Sequence, residues 1–132
     1  MTPRFMLDTD SVSLALRGQG RVAERLQEHH PLDLCISTIT LAELRFGADL
    51  KRSEKLHRLI DTFCEVVVPV PFDGSAANRF GVVAAALTRA GTPIGRFDAL
   101  IAAHALALGL TFVTNNTQHF SRVPGLEVEN WM

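Results

Sequence analysis

At 132 residues and 14.5 kDa the chain has the length of one domain, which excludes an enzyme with separate cofactor and substrate lobes. With 47% apolar and 20% charged residues it carries enough hydrophobic material to bury a core, which excludes an intrinsically disordered chain and a disulfide-stapled miniprotein. Thirteen basic residues against fourteen acidic ones give a formal charge of −1, so no global positive field points to nucleic acid or a membrane surface.

Phe5-Met6-Leu7 reads as a short apolar strand that runs into Asp8-Thr9-Asp10-Ser11, a cluster of helix N-cap types, and then a helix to about Arg17. Gly18 and Gly20 punctuate it. A second amphipathic helix is predicted over about Arg21 to His29, with His29-His30 as a solvated helix end before Pro31. Leu34-Cys35-Ile36-Ser37 follows as a buried strand. Thr38 to Leu50 is helical in pattern, with Leu41, Leu44 and Ala48 on one stripe, and Glu54 to Phe63 repeats the pattern through Leu56, Leu59, Ile60 and Phe63. Val66-Val67-Val68 is strand-like. Asp73 to Ala90 is a long helix carrying Phe80, Val83, Ala84 and Leu87, closed by Gly91 and followed by Pro93. Asp98 to Leu108 is a helix that is apolar nearly all round and ends at Gly109. Thr111 to Thr114 is an apolar strand, and Leu126 to Trp131 is expected to add an edge strand.

No repeat, low-complexity tract or Ser/Gly linker interrupts this order, so residues 1–132 read as a single domain. Cys35 and Cys64 stand apart beside apolar neighbours and read as small buried hydrophobes, which fits a reducing compartment. The longest nearly apolar run, Ala99 to Leu110, is too short to span a bilayer and contains His104, a core histidine by its surroundings. A cytoplasmic location without membrane contact is the expectation. Short apolar strands separated by helices imply an α/β fold in three layers, a mainly parallel central sheet with helices on both faces.

In such sheets ligands bind beyond the carboxyl ends of the strands. Asp8 follows the first strand, Ser37 and then Glu43 follow the second, Asn115-Asn116 follow Thr111 to Thr114, and Asp98 opens the apolar helix. Carboxylates brought together repel, and the ordinary remedy is a hard divalent cation such as Mg²⁺ with oxygen ligands. A metal-dependent phosphodiester hydrolase needs such a cluster. Each residue also has a structural use. Asp8 and Asp98 are N-cap types, Thr40-Leu41-Ala42-Glu43 matches a capping box, and Asn115-Asn116 suits a turn. Glu43, however, has Ile39, Phe46 and Gly47 as helical neighbours, a mostly apolar face on which an unpaired charge is costly.

Taken in order, Leu7-Asp8-Thr9-Asp10, Ile36 to Gly47, Gly91 to Ala105 and Val113 to Phe120 resemble the motifs of PIN-domain ribonucleases, and most of all the VapC-type toxins of bacterial toxin–antitoxin pairs. The similarity extends to Val123-Pro124-Gly125-Leu126 and Glu129-Asn130-Trp131. It implies a Mg²⁺- or Mn²⁺-dependent endoribonuclease, homodimeric, that stops translation by cutting structured RNA such as a tRNA. It also implies a VapB-like antitoxin whose tail occupies the active-site groove and whose other end binds operator DNA.

Asp8, Glu43 and Asp98 match the family's three acidic positions. At the fourth, relatives place an acid where this chain has Asn116, and close relatives carry Glu where it has His119. The implied mechanism therefore uses one ion. Asp8 and Asp98 ligate it directly or through water, Glu43 positions or deprotonates the attacking water, and Asn116 orients the cluster. Ser37 and Thr114 border that cluster. Arg45 and Arg96 are expected near the scissile phosphate or the antitoxin tail, although Arg45 is also placed to pair with Asp49 at i+4. Eleven of the thirteen basic residues are arginines, which suits phosphate as well as an Arg-rich codon usage. The departures at Asn116 and His119 keep open a catalytically silent binding module with the same fold. Asp8-Thr9-Asp10 also resembles the start of haloacid-dehalogenase-like phosphatases, but their downstream Lys and acidic pair are missing.

Overall fold

The computed structural model describes residues 3–132, so residues 1 and 2 of the predicted domain span lie outside it. Five parallel strands form the sheet in the order β3-β2-β1-β4-β5, with β1 at Phe5–Leu7, β2 at Leu34–Ser37, β3 at Val68–Val70, β4 at Thr111–Val113 and β5 at Val128–Glu129. The expected three-layer α/β architecture is present. Side chains alternate across a strand, so Met6, Cys35 and Phe112 enter one core with Val83, Leu87, Ile101 and Ala102. Phe5, Leu7, Leu34, Ile36 and Val113 enter the other, with Val12, Val22, Leu44 and Ile60.

The second core is roofed by helices α1 (Thr9–Leu16), α2 (Val22–Gln27), α3 (Thr38–Leu50) and α4 (Glu54–Val66), the first by α5 (Gly74–Arg89) and α6 (Arg96–Leu108). A short α7 spans Thr117–Phe120. Both cysteines are free, and burial pushes the Cys35 thiol up to about 12, as suits a small core hydrophobe. No helix among the described residues is long and apolar enough to cross a membrane.

Several expectations need correction. The Val66-Val67-Val68 strand is displaced: α4 continues through Val66, the Val67 N–H still bonds to the Phe63 carbonyl, and the strand is Val68–Val70. A proline is tolerated there because β3 is an edge strand, whose outer side needs no partner. Helix α6 starts two residues before Asp98, because Gly95 at φ 92° takes the N-cap position and turns the chain into the helix. Asp98 thus lies in the first turn and caps nothing. Glu43 belongs to no capping box, since the N-cap of α3 is Ser37, whose hydroxyl accepts from the Ile39 N–H at 3.1 Å. His29 is no solvated helix end: its ring stacks on Trp131 at 4.8 Å with 4° between planes, while His30 alone is exposed.

Candidate active site

Three elements that end or begin at the carboxyl edge of the sheet supply the acids. Asp8 directly follows β1, its N–H bonded to the Val113 carbonyl of β4 at 2.9 Å. Its side chain accepts from the Ser11 N–H at 2.8 Å, so the capping use and the site position coexist. The residue is only 3% exposed, and Thr114, fully buried at the end of β4, adds a hydroxyl donor to the carboxylate. Burial nevertheless pushes the Asp8 carboxyl up to about 6 against those hydrogen bonds, with the charge of Asp10 adding to the rise.

Glu43 projects from the second turn of α3, where the Thr9 hydroxyl donates to Oε1 at 2.6 Å. Burial raises its pKa, partly offset by Thr9, and the charges of Asp98 and Asp10 raise it further. Asp98 projects from the first turn of α6 and accepts from Nε2 of His119 at 3.1 Å. Burial raises it as well, His119 opposes the rise, and Asp10 adds to it. All three carboxylates therefore carry charge that the protein leaves incompletely neutralised. Among the described residues none of them has a Lys or Arg partner within ion-pair distance.

Two contributors escaped the sequence reading. Thr9 holds Glu43, and exposed Asp10 bears on every one of the three acids. In sequence both read as members of the capping cluster after β1; the signal that marks them is their position on the first turn of a helix that starts at a site acid. Of the expected neighbours, Ser37 and Thr114 are fully buried. Ser37 shares a 2.8 Å hydrogen bond with Nδ1 of His104, which also bonds to the Pro71 backbone, so His104 is a satisfied core histidine. Thr114 accepts from the Asn116 N–H at 3.0 Å. The Asn116 side chain is exposed and makes no hydrogen bond among the described residues.

The two arginines part company. Arg45 lies two residues beyond Glu43, about 200° around the helix, and faces α4. It is paired with Asp61 and donates to Nδ1 of His57 at 2.9 Å, and Asp49 takes the Nε2 proton of the same ring at 2.7 Å. Neither the phosphate role nor the Asp49 pair describes its place in this structure. Arg96 is exposed at the start of α6, beside a recess of about 380 Å³ bordered by Phe80, Thr88 and Pro93. A second groove, about 430 Å³, runs from Thr9, Asp10 and Glu43 along an apolar floor of Leu16, Leu44, Leu56 and Ile60 to Arg17 and Lys51.

The donor set suits a hard cation: carboxylate oxygens, no thiolate, and negative charge left without Lys or Arg partners among the described residues. Among the described residues no three Asp, Glu, His or Cys side chains are grouped to hold one ion between them.

Comparison with known proteins gives the same direction. The PIN domain family matches residues 5–126. The chain is similar to the tRNA(fMet)-specific endonuclease VapC of Salmonella typhimurium, 36% identical over 132 residues, covering 97% of this chain and 98% of that protein. The protein of the same name from Shigella flexneri is 38% identical over 130 residues, with the same coverage. Among solved structures, VapBC2 from Rickettsia felis bound to a DNA fragment from its promoter superposes with a TM-score of 0.88 at 32% identity, over 97% of this chain and 98% of that one.

Proposed function

The chain belongs to the PIN-domain family, and from that premise we propose that it is the ribonuclease toxin of a VapBC-type toxin–antitoxin pair, an endoribonuclease that cuts tRNA and so stops translation. The observation that carries the reading is the gathering of Asp8, Glu43 and Asp98 at one sheet edge without a Lys or Arg partner, in a chain that matches VapC relatives over nearly its whole length. A phosphatase of the haloacid-dehalogenase type is set aside by the same match.

Asp8 and Asp98 would hold a divalent cation, Mg²⁺ or Mn²⁺. When bound, it supplies positive charge that stabilises the developing phosphorane oxygens and makes water a better nucleophile. Glu43 has one carboxylate oxygen fixed by Thr9, and its other oxygen makes no hydrogen bond among the described residues. That oxygen accepts the proton of the attacking water, and burial, which raises the carboxyl's pKa, makes it a better base at neutral pH. Ser11 and Thr114 fix the orientation of Asp8. Arg96, two residues before Asp98 and so about 200° around α6 from it, borders the Phe80 recess, and the cations that line the groove with Glu43 and are available to an incoming phosphate are Arg17 and Lys51.

The groove with the Leu16, Leu44, Leu56 and Ile60 floor fits an antitoxin tail that is apolar along its length and carries acidic groups toward Arg17 and Lys51. VapBC2 from Rickettsia felis on its promoter fragment supports a VapB-like antitoxin; on this reading the antitoxin contacts operator DNA itself and the toxin acts as a homodimer in the cytoplasm. The exposed, uncommitted Asn116 side chain favours one alternative, a catalytically silent binding module. Incubating purified, antitoxin-free protein with bacterial tRNA in Mg²⁺, in EDTA and as Asp8→Asn separates the two. Discrete products that require Mg²⁺ and vanish in the variant are expected; an uncut tRNA pool with folded protein and either ion would favour the silent module.

A further inference from the structure

The fourth corner of the site is where this chain departs from its look-alikes, and the structure shows what stands there. Nε2 of His119 lies 3.0 Å from the Ile94 carbonyl oxygen and 3.1 Å from Oδ2 of Asp98. A carbonyl oxygen only accepts, so Nε2 carries the hydrogen, whether the ring is neutral or cationic. A protonated ring nitrogen has no lone pair for a metal. The ring is fixed on a third side by Phe120, edge to face at 5.1 Å and itself buried in the core. The Asn116 side chain is exposed and makes no hydrogen bond among the described residues.

We propose that His119 is a positioning residue for Asp98, and that it fills the fourth corner with a hydrogen-bond donor in place of a carboxylate ligand, so that the site holds a single divalent ion. The inference rests on the reading of the acidic edge as a metal-dependent nuclease site. Its physical content is a shared N–H. One hydrogen ties α7 to the Ile94–Gly95 turn that starts α6 and to the carboxylate one helical turn further on. Losing it frees both the turn and the acid. With that hydrogen on Nε2, and with no carboxylate among residues 115–120, the corner offers a second cation no anionic oxygen.

The test uses the full-length, metal-free chain with Mn²⁺ as the probe, read by calorimetry and by electron paramagnetic resonance. Wild type is expected to bind one Mn²⁺ per chain. H119Q, which keeps an amide N–H donor, should stay within about threefold of wild-type affinity, while H119A loses about tenfold or more, the usual cost of removing a group that orients a metal ligand. H119E should bind a second ion. In EDTA, with no ion present, melting of H119A, D98A and the double variant closes a cycle, and the two single effects should be non-additive because both remove the same hydrogen bond. Equal weakening by H119Q and H119A, additive effects in the cycle, or two ions on wild type would overturn the proposal. Absence of Mn²⁺ binding to wild type with the cycle still coupled would overturn the metal reading while leaving the positioning of Asp98 intact, so the two failures are told apart.

Discussion

Two polar clusters share the α3 helix and are built on opposite terms. On the side facing α4, Arg45, His57, Asp49 and Asp61 are joined in one chain of ion pairs and hydrogen bonds in which every acid has a donor. On the side facing α1, Glu43 stands with Asp8, Asp98 and Asp10, and only hydroxyls, backbone and His119 oppose their charge. The first arrangement is self-sufficient and half exposed, so its worth is stability and little of it. The second is unfinished without a cation, which is the signature of a site.

Breaking the unfinished cluster should have the largest effect. Asp8→Asn and Asp98→Asn are expected to lower Mg²⁺-dependent RNA cleavage by at least about 100-fold, on the scale of losing a transition-state interaction, with circular dichroism unchanged. Cleavage at wild-type level by either variant would remove that residue from the chemistry. Completing the cluster comes next: saturating Mg²⁺ or Mn²⁺ should raise the melting temperature, by about 2.7 kcal/mol of stability at 100 times the dissociation constant. The Asp8→Asn variant should lose that gain.

The pH dependence sharpens the contrast. Asp8 has a folded value of about 6 against an ordinary 3.8, so its contribution is fully present below about pH 4 and is lost as pH rises through 6. The raised Glu43 and Asp98 act in the same sense. Metal-free protein should therefore be more stable at pH 5 than at pH 7.5, by on the order of 2 kcal/mol, and Asp8→Asn should shrink the difference. A metal-free melting curve that falls from pH 7.5 to 5 would contradict the assigned burial. The smallest effect is reserved for the finished cluster. Arg45→Met should cost under about 1 kcal/mol, less in high salt, and leave RNA cleavage unchanged; a large loss of cleavage would return Arg45 to the site.

The residues that sequence reasoning placed well are those with two local duties pointing the same way. Ser37 both ends β2 and caps α3, so the bounds of Leu34–Ser37 and Thr38–Leu50 coincide with the expected ones. Asp8 is a cap and a site acid at once. Errors arose where one local signal masked another. Asp98 has the look of an N-cap, but the helix is started upstream by the positive φ of Gly95. Val66-Val67-Val68 is more strand-like than Val68-Pro69-Val70, the true β3, because an edge position that tolerates proline cannot be seen in the pattern. The partner of Arg45 is on α4, sixteen residues away, and the spacing to Asp49 says nothing of it. His119 was visible as a substitution; that it is a donor to both Asp98 and Ile94 is a fact of tertiary geometry.

The C-terminal residues have a practical consequence. Trp131, the chain's lone tryptophan, is 1% exposed, lies against Phe5 of β1 and stacks on His29 beyond α2, and the sequence contains no tyrosine. Near-ultraviolet emission therefore comes from one indole at one seam. Its spectrum is a built-in optical gauge of whether the last residues are docked on the α2 side of the sheet, and unfolding can be followed there without adding a dye.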